Sequence, residues 1–204
     1  FGNATLADLV ASWEHASDRD LSSWTDQWLL TSGVDTLVVR QGNPTVIERR
    51  NGSPVPASRA HAVTVTVYDE LGKAESVRAV LSENVNEVPL DSSGDGSFVL
   101  PDSQDESWVR IQLDAGAATT VPTLLPQIDD PTSRAVVWGA LREGLLTAQL
   151  DPAVYLEALT TALPLEPNDL VVGQVLLRQA SSYAGSFLHL PEHRSRLEAL
   201  VTEL

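Results

Sequence analysis

Apolar positions follow a helical period at both ends of the chain and a period of two in between, which predicts a multi-domain α and β protein. The expected units are a short helical piece over 1–34, an antiparallel β-sandwich over 35–115 and an α-solenoid-like helical array over 116–204. In the first unit Leu6, Leu9, Val10 and Trp13 fall at i, i+3, i+4 and i+7 behind a capping Thr5. A second helix is predicted after Asp20 as N-cap, with Leu21, Trp24, Trp28 and Leu29 on one side and Gly33 as its C-terminal stop. Three tryptophans in two short helices call for a covering surface. A buried apolar side chain contributes roughly 1.5–3 kcal/mol, and a lone helix pair cannot collect it, so the covering surface is expected upstream of Phe1.

Seven β-branched runs follow: 36–39, 45–49, 62–68, 77–81, 87–90, 97–100 and 107–113. Glycine or proline turns separate several of them, such as Asn51-Gly52-Ser53-Pro54 and Ser93-Gly94-Asp95-Gly96. Val63, Val65 and Val67 should face a core, with Thr64 and Thr66 on a wetter side. No crossover helix is signalled, which argues for antiparallel pairing throughout. Ala115-Gly116-Ala117-Ala118 reads as a small-residue hinge, after which Asp130-Pro131 and Asp151-Pro152 each pair an N-cap with proline at the first helical position. Further starts are predicted at Glu166-Pro167-Asn168-Asp169 and Pro191-Glu192. The apolar stripes are Val136, Val137, Leu141 and Leu145, then Tyr155, Leu156 and Leu159, then Val172, Val175 and Leu176, then Leu197, Leu200, Val201 and Leu204.

Composition narrows the chemistry. The 204 residues contain no cysteine, which removes disulfides and thiolate metal sites. A formal net charge of −15, from 28 acidic against 13 basic residues, repels phosphate backbones and anionic lipid, so neither nucleic acid nor membrane is an expected partner. No apolar run is long enough to span a bilayer, and the first residues lack the pattern of a signal peptide, from which a cytoplasmic location is expected. With no methionine, and a chain that opens at Phe1 directly before a helix start, an excised fragment is expected. Lys73 is the sole lysine, an arginine bias that suits a GC-rich bacterial source.

Several motifs invite a sharper reading. His189-Leu190-Pro191-Glu192-His193 fits H-x-x-E-H, but two zinc-binding imidazoles need one continuous helix, and Pro191 breaks it between them. An ordinary helix start is the expectation. Asp91, Ser93, Asp95, Gly96 and Asp102 resemble calcium-loop spacing, yet they lie between strands, end in Asp rather than Glu and include Pro101; a solvated hairpin is expected. Asp129-Asp130 should cap a helix, and Asp102, Asp105 and Glu106 should form a wet loop. His15 and His61 look isolated, so a structural or exposed place is expected for each. Asn3-Ala4-Thr5 and Asn51-Gly52-Ser53 fit glycosylation sequons without an export signal. No nucleophile elbow, P-loop, dinucleotide fingerprint or H-E-x-x-H is present, so no catalytic, cofactor-binding or metal-binding residue is assigned.

The order of several local strings resembles the C-terminal part of bacterial aminopeptidase N, a zinc metallopeptidase family. Asn3 to Leu9, Ser17 to Leu21, Trp24 to Trp28 and Thr31 to Val34 are similar to the closing helices of that family's catalytic domain. The strands up to Ser107–Asp114 are similar to its small sandwich domain, and Asp130-Pro131 with Arg134 and Trp138 to the opening of its helical domain. Pro101-Asp102 departs from the asparagine often found after the penultimate sandwich strand. The resemblance implies a parent enzyme that removes N-terminal amino acids from peptide substrates with zinc held by residues outside this chain. It also implies that the fragment itself is an inactive scaffold, without zinc, whose partner is the upstream catalytic domain. A free-standing protein-interaction module of sandwich plus helices is the alternative.

Overall fold

The computed structural model describes residues 2–55, 57–174, 191, 194–196, 198 and 199. It contains both sheets and helices in the order expected. Helix α1 (Leu6–Ser17) starts at Thr5 in a reciprocal capping box: the Thr5 hydroxyl accepts from Asp8 N–H, and Asp8 Oδ2 accepts from Thr5 N–H at 2.8 Å. Asp18, in left-handed conformation, ends it. Helix α2 (Ser22–Trp28) departs from expectation at both ends. Asp20 sits one residue before the N-cap Leu21, although its Oδ1 still takes the Ser22 N–H at 2.8 Å. The helix stops at Leu29, well before Gly33. Gly33 does adopt positive φ (+88°), but as the turn into the sheet, where a Cβ would sit 2.1 Å from Gly52 O.

Seven strands fall on the seven alternating runs: β1 (Asp35–Arg40), β2 (Thr45–Arg50), β3 (His61–Tyr68), β4 (Ala74–Leu81), β5 (Val85–Val88), β6 (Phe98–Leu100) and β7 (Val109–Gln112). They form two sheets, β5-β2-β1-β7 and β4-β3-β6. The fully antiparallel expectation fails at one place, because β7 lies parallel to β1, with Asp35 opposite Val109 and Leu37 opposite Ile111. A parallel neighbour needs a long connection, and strands of the opposing sheet supply it where other folds use a helix. Leu37, Ile47, Val63, Val65, Leu81 and Val88, all at 0% exposure, fill the space between the sheets. Thr64 is half-buried as predicted, whereas Thr66 is fully buried: its hydroxyl lies 2.7 Å from Ser103 Oγ and 2.8 Å from Ser76 Oγ, partners that an apolar neighbour could not give.

The expected hinge is instead the first turn of α3 (Ala115–Leu124). Asp114 caps it by accepting from Ala117 N–H at 2.8 Å, and buried Ala117 and Ala118 are small enough for a close neighbour. Helices α4 (Pro131–Leu146) and α5 (Pro152–Thr161) begin as predicted, with Asp130 and Asp151 as N-caps and proline at the first position. Asn168 accepts from Leu170 and Val171 N–H ahead of α6 (Asp169–Gln174). Trp138, Leu141, Tyr155, Leu156 and Leu159 form one core with Tyr68, Phe98, Leu100 and Ile111 of the sandwich. The helices therefore cover one end of the sandwich rather than trailing from it. Arg134 ties them together, its Nε donating to Glu166 and its Nη1 to Ile128 O and Asp129 O. Val175, Leu176, Leu197, Leu200, Val201 and Leu204 lie outside the described residues, as do His189, Leu190, Glu192 and His193 of the H-x-x-E-H string.

Candidate functional site

The densest polar chemistry in the described residues is a buried cluster where the N-terminal helices meet the sandwich. Asp35, Arg49 and His61 each sit two residues from an inward-facing apolar neighbour (Leu37, Ile47 and Val63), so strand alternation turns all three toward the interior. Arg59, from the loop before β3, joins them. All four are at most 5% exposed. Asp35 Oδ2 accepts from Arg49 Nη1 at 2.9 Å, and Oδ1 from Arg59 Nη1 at 3.2 Å and Gly52 N–H at 3.1 Å. Burial pushes the Asp35 carboxyl upward, but hydrogen bonds from His61, Gly52 and Arg49 outweigh it and hold the group below its ordinary range.

Arg59 is the stitch between the two units. Its guanidinium donates to Gln27 O (2.9 Å), Gly33 O (3.0 Å), Thr31 Oγ1 (2.5 Å) and Ser32 O (3.3 Å), all on the segment that leads out of α2. It also lies 5.6 Å from the centre of the Trp28 ring, while the Trp28 and His61 rings meet edge to face at 5.2 Å. His61 was expected to be isolated; it is instead fully buried within this set.

His61 also completes a hydrogen-bonded serine–histidine–aspartate chain. Its Nδ1 lies 2.7 Å from Ser107 Oγ and its Nε2 lies 3.1 Å from Asp35 Oδ2. A carboxylate can only accept, so Nε2 carries the proton and Nδ1 accepts from the Ser107 hydroxyl. Connectivity of this kind can activate a nucleophile, but the electrostatics here oppose it. Burial lowers the His61 pKa; Asp35 raises it, and Arg49 and Arg59 lower it further, so the net result lies below the ordinary value. Taking a proton from Ser107 would place a third cation against one carboxylate already shared by two guanidiniums. The Ser107 N–H is committed to Asp102 Oδ2 at 3.1 Å. The arrangement is suited to holding β3, β7 and the helix exit in place.

The acidic loop after β6 is only partly wet. Asp105 and Glu106 face solvent, but Asp102 is 1% exposed and accepts from Glu106 and Ser107 N–H. Burial raises its pKa more than those two donors lower it. Asp91 accepts from Ser93 and Asn43 at the surface, apart from Asp102. Among the described residues no group of three or more His, Asp or Glu side chains is placed to hold a metal ion. Asp130 caps α4 as expected, with Ser133 N–H at 2.8 Å. A groove of about 350 Å³ runs between β7 and α4, lined by Ser107, Arg110, Ala135 and Glu143 among others, and the Arg110–Glu143 ion pair (2.9 Å) spans it.

The second feature is an uncovered apolar surface. Neither α1 nor α2 buries a single residue. Leu6 is 43% exposed, Trp24 40% and Leu30 65%, and Trp13 stands edge to face with Trp24 at 5.9 Å. Between the helices lies a groove of about 480 Å³ floored by Leu6, Ala7, Val10 and Ala11. Exposed apolar side chains therefore gather on the α1–α2 face. Among the described residues no helix is long and apolar enough to cross a membrane.

No known family profile matches this chain. It is similar to a Streptomyces lividans protein named Aminopeptidase N, 27% identical over 206 aligned residues that cover 88% of this chain. The chain spans about a quarter (23%) of the length of that relative.

Proposed function

We propose that these residues are a non-catalytic portion of a zinc aminopeptidase that removes N-terminal amino acids from peptides. Residues 1–34 close its catalytic domain, 35–115 form its sandwich and 116–204 open its helical domain. The observation that carries this reading is the similarity to Aminopeptidase N along nearly the whole chain, over a stretch that is a minor part of the relative. The largely uncovered α1–α2 face agrees with it, since a helix pair with no fully buried residue needs a neighbour. The Arg59 stitch gives the piece a mechanical task. It fixes the direction in which the helices leave the sandwich, and with it the position of whatever docks on them. Zinc and the residues that bind it belong to the upstream part of the parent, where the peptide would bind.

The test is to extend the reading frame upstream of Phe1, express the longer protein, and measure zinc content and hydrolysis of aminoacyl anilides. The reading expects one zinc per chain and turnover in the longer protein. A longer protein with neither would overturn it.

A further inference from the structure

We propose that the α1–α2 groove receives an amphipathic helix whose apolar stripe is bordered by arginine or lysine, contributed by the part of the parent polypeptide outside residues 1–204. This rests on the reading of the α1–α2 face as a docking surface and adds the chemistry of its occupant. The groove has an apolar floor, with Glu14 and Asp26 on its rim. Next to it Glu14, Asp18, Arg19, Asp20 and Ser22 line a second depression, in which three carboxylates face one guanidinium. Residues 2–34 hold five carboxylates (Asp8, Glu14, Asp18, Asp20 and Asp26) against one arginine, Arg19.

Three of these carboxylates, Asp8, Glu14 and Asp20, accept hydrogen bonds within the helix pair, but none is balanced by an internal cation. Among the described residues none of the five forms an ion pair, whereas the ion pairs that do form lie in the sandwich and the later helices, such as Arg78–Glu106 and Arg134–Glu166. Glu14 and Asp20 accept backbone N–H groups of Leu21 and Ser22, which fixes the turn between the helices and leaves its negative charge unbalanced. Thr25, which lines the groove, has a hydroxyl with no hydrogen-bond partner. A groove between two helices is the shape a third helix fills by ridge-into-groove packing. Basic flanks would bring cations within the roughly 10 Å over which exposed charges act at 0.1 M salt.

The test uses the whole 204-residue protein and three synthetic helical peptides with one leucine–alanine stripe. Their flanks are arginine and lysine, glutamine, or glutamate. Fluorescence anisotropy of the labelled peptides gives affinities at low and high salt. The basic peptide is expected to bind at least tenfold tighter than the glutamine peptide, with the acidic one weakest and the gap closing in high salt. The double substitution Asp18→Lys with Asp26→Lys, on exposed positions, removes the net negative charge of residues 2–34 and should erase the preference for the basic peptide, and Val10→Glu should abolish binding of every peptide.

Equal affinity for all three peptides would overturn the proposed chemistry while leaving a docking face in place. A preference for the basic peptide that survives the double substitution would place its binding elsewhere and overturn the proposal. No binding by any peptide would remove the docking face as well. Failure of the aminopeptidase reading itself is seen separately, in the zinc content and turnover of the longer protein.

Discussion

Replacing Arg59 by alanine should release the N-terminal helices from the sandwich. Arg59 is 3% exposed and donates to Gln27 O, Thr31 Oγ1, Ser32 O and Gly33 O as well as to Asp35. Removing one partner of a buried ion pair costs about 3–5 kcal/mol when the remaining charge is stranded. Asp35 keeps Arg49 and His61, which reduces that figure, while the acceptors left on residues 27–33 add to it at about 1–3 kcal/mol for each that stays dry. A net loss of at least about 3 kcal/mol is expected, the lower end of the ion-pair range. The loss should concentrate at the joint. Urea unfolding followed by tryptophan fluorescence should show an early transition for the helices, and trypsin should cut after Arg19 well before the sandwich unfolds. Arg59→Lys keeps the charge but not the planar fork, and should recover less than half of the loss. An Arg59→Ala protein that unfolds in one transition, within about 1 kcal/mol of the parent, would refute the stitch.

Other outcomes follow from the same cluster. The folded-state pKa of His61 lies below its ordinary 6.5. The unfolded chain therefore binds the extra proton first, and stability should fall as pH drops from 6.5 toward the folded value; in His61→Gln this slope should vanish from urea midpoints measured at pH 7.5 and 5.5. Ser107 should behave as a structural hydroxyl. A fluorophosphonate probe should leave it unlabelled by mass spectrometry, and Ser107→Ala should lower stability by about 1 kcal/mol, whereas stoichiometric labelling would reveal a nucleophile. Gly52→Ala places a Cβ 1.8 Å from Val34 O. Backbone on both sides cannot yield cheaply, so a loss of at least about 2 kcal/mol is expected in the same urea assay.

Much of this architecture is written in local pattern. Val63, Val65 and Val67 give β3 its face, and Asp130-Pro131 and Asp151-Pro152 give two helix starts to the residue. What local pattern misses is what distant residues supply. The parallel β1–β7 pair is invisible because strand direction depends on how many times the chain changes sheets. Thr66 breaks alternation because Ser76 and Ser103 meet its hydroxyl. Ala115-Gly116-Ala117-Ala118 reads as a hinge by composition, but Asp114 caps it as a helix start. The buried cluster did leave a trace: Asp35, Arg49 and His61 are charged or polar residues at positions where strand parity points inward. Charge at such positions, near one end of three strands, signals a shared ion-pair site. Arg59, on a loop with no parity, left no such trace.

The proposed function places peptide cleavage outside these residues. It is tested most directly by incubating the purified 204-residue protein with zinc and aminoacyl anilide substrates across pH 6–9. Release of anilide no faster than the blank is expected. Sustained turnover that a chelator abolishes and zinc restores would contradict it.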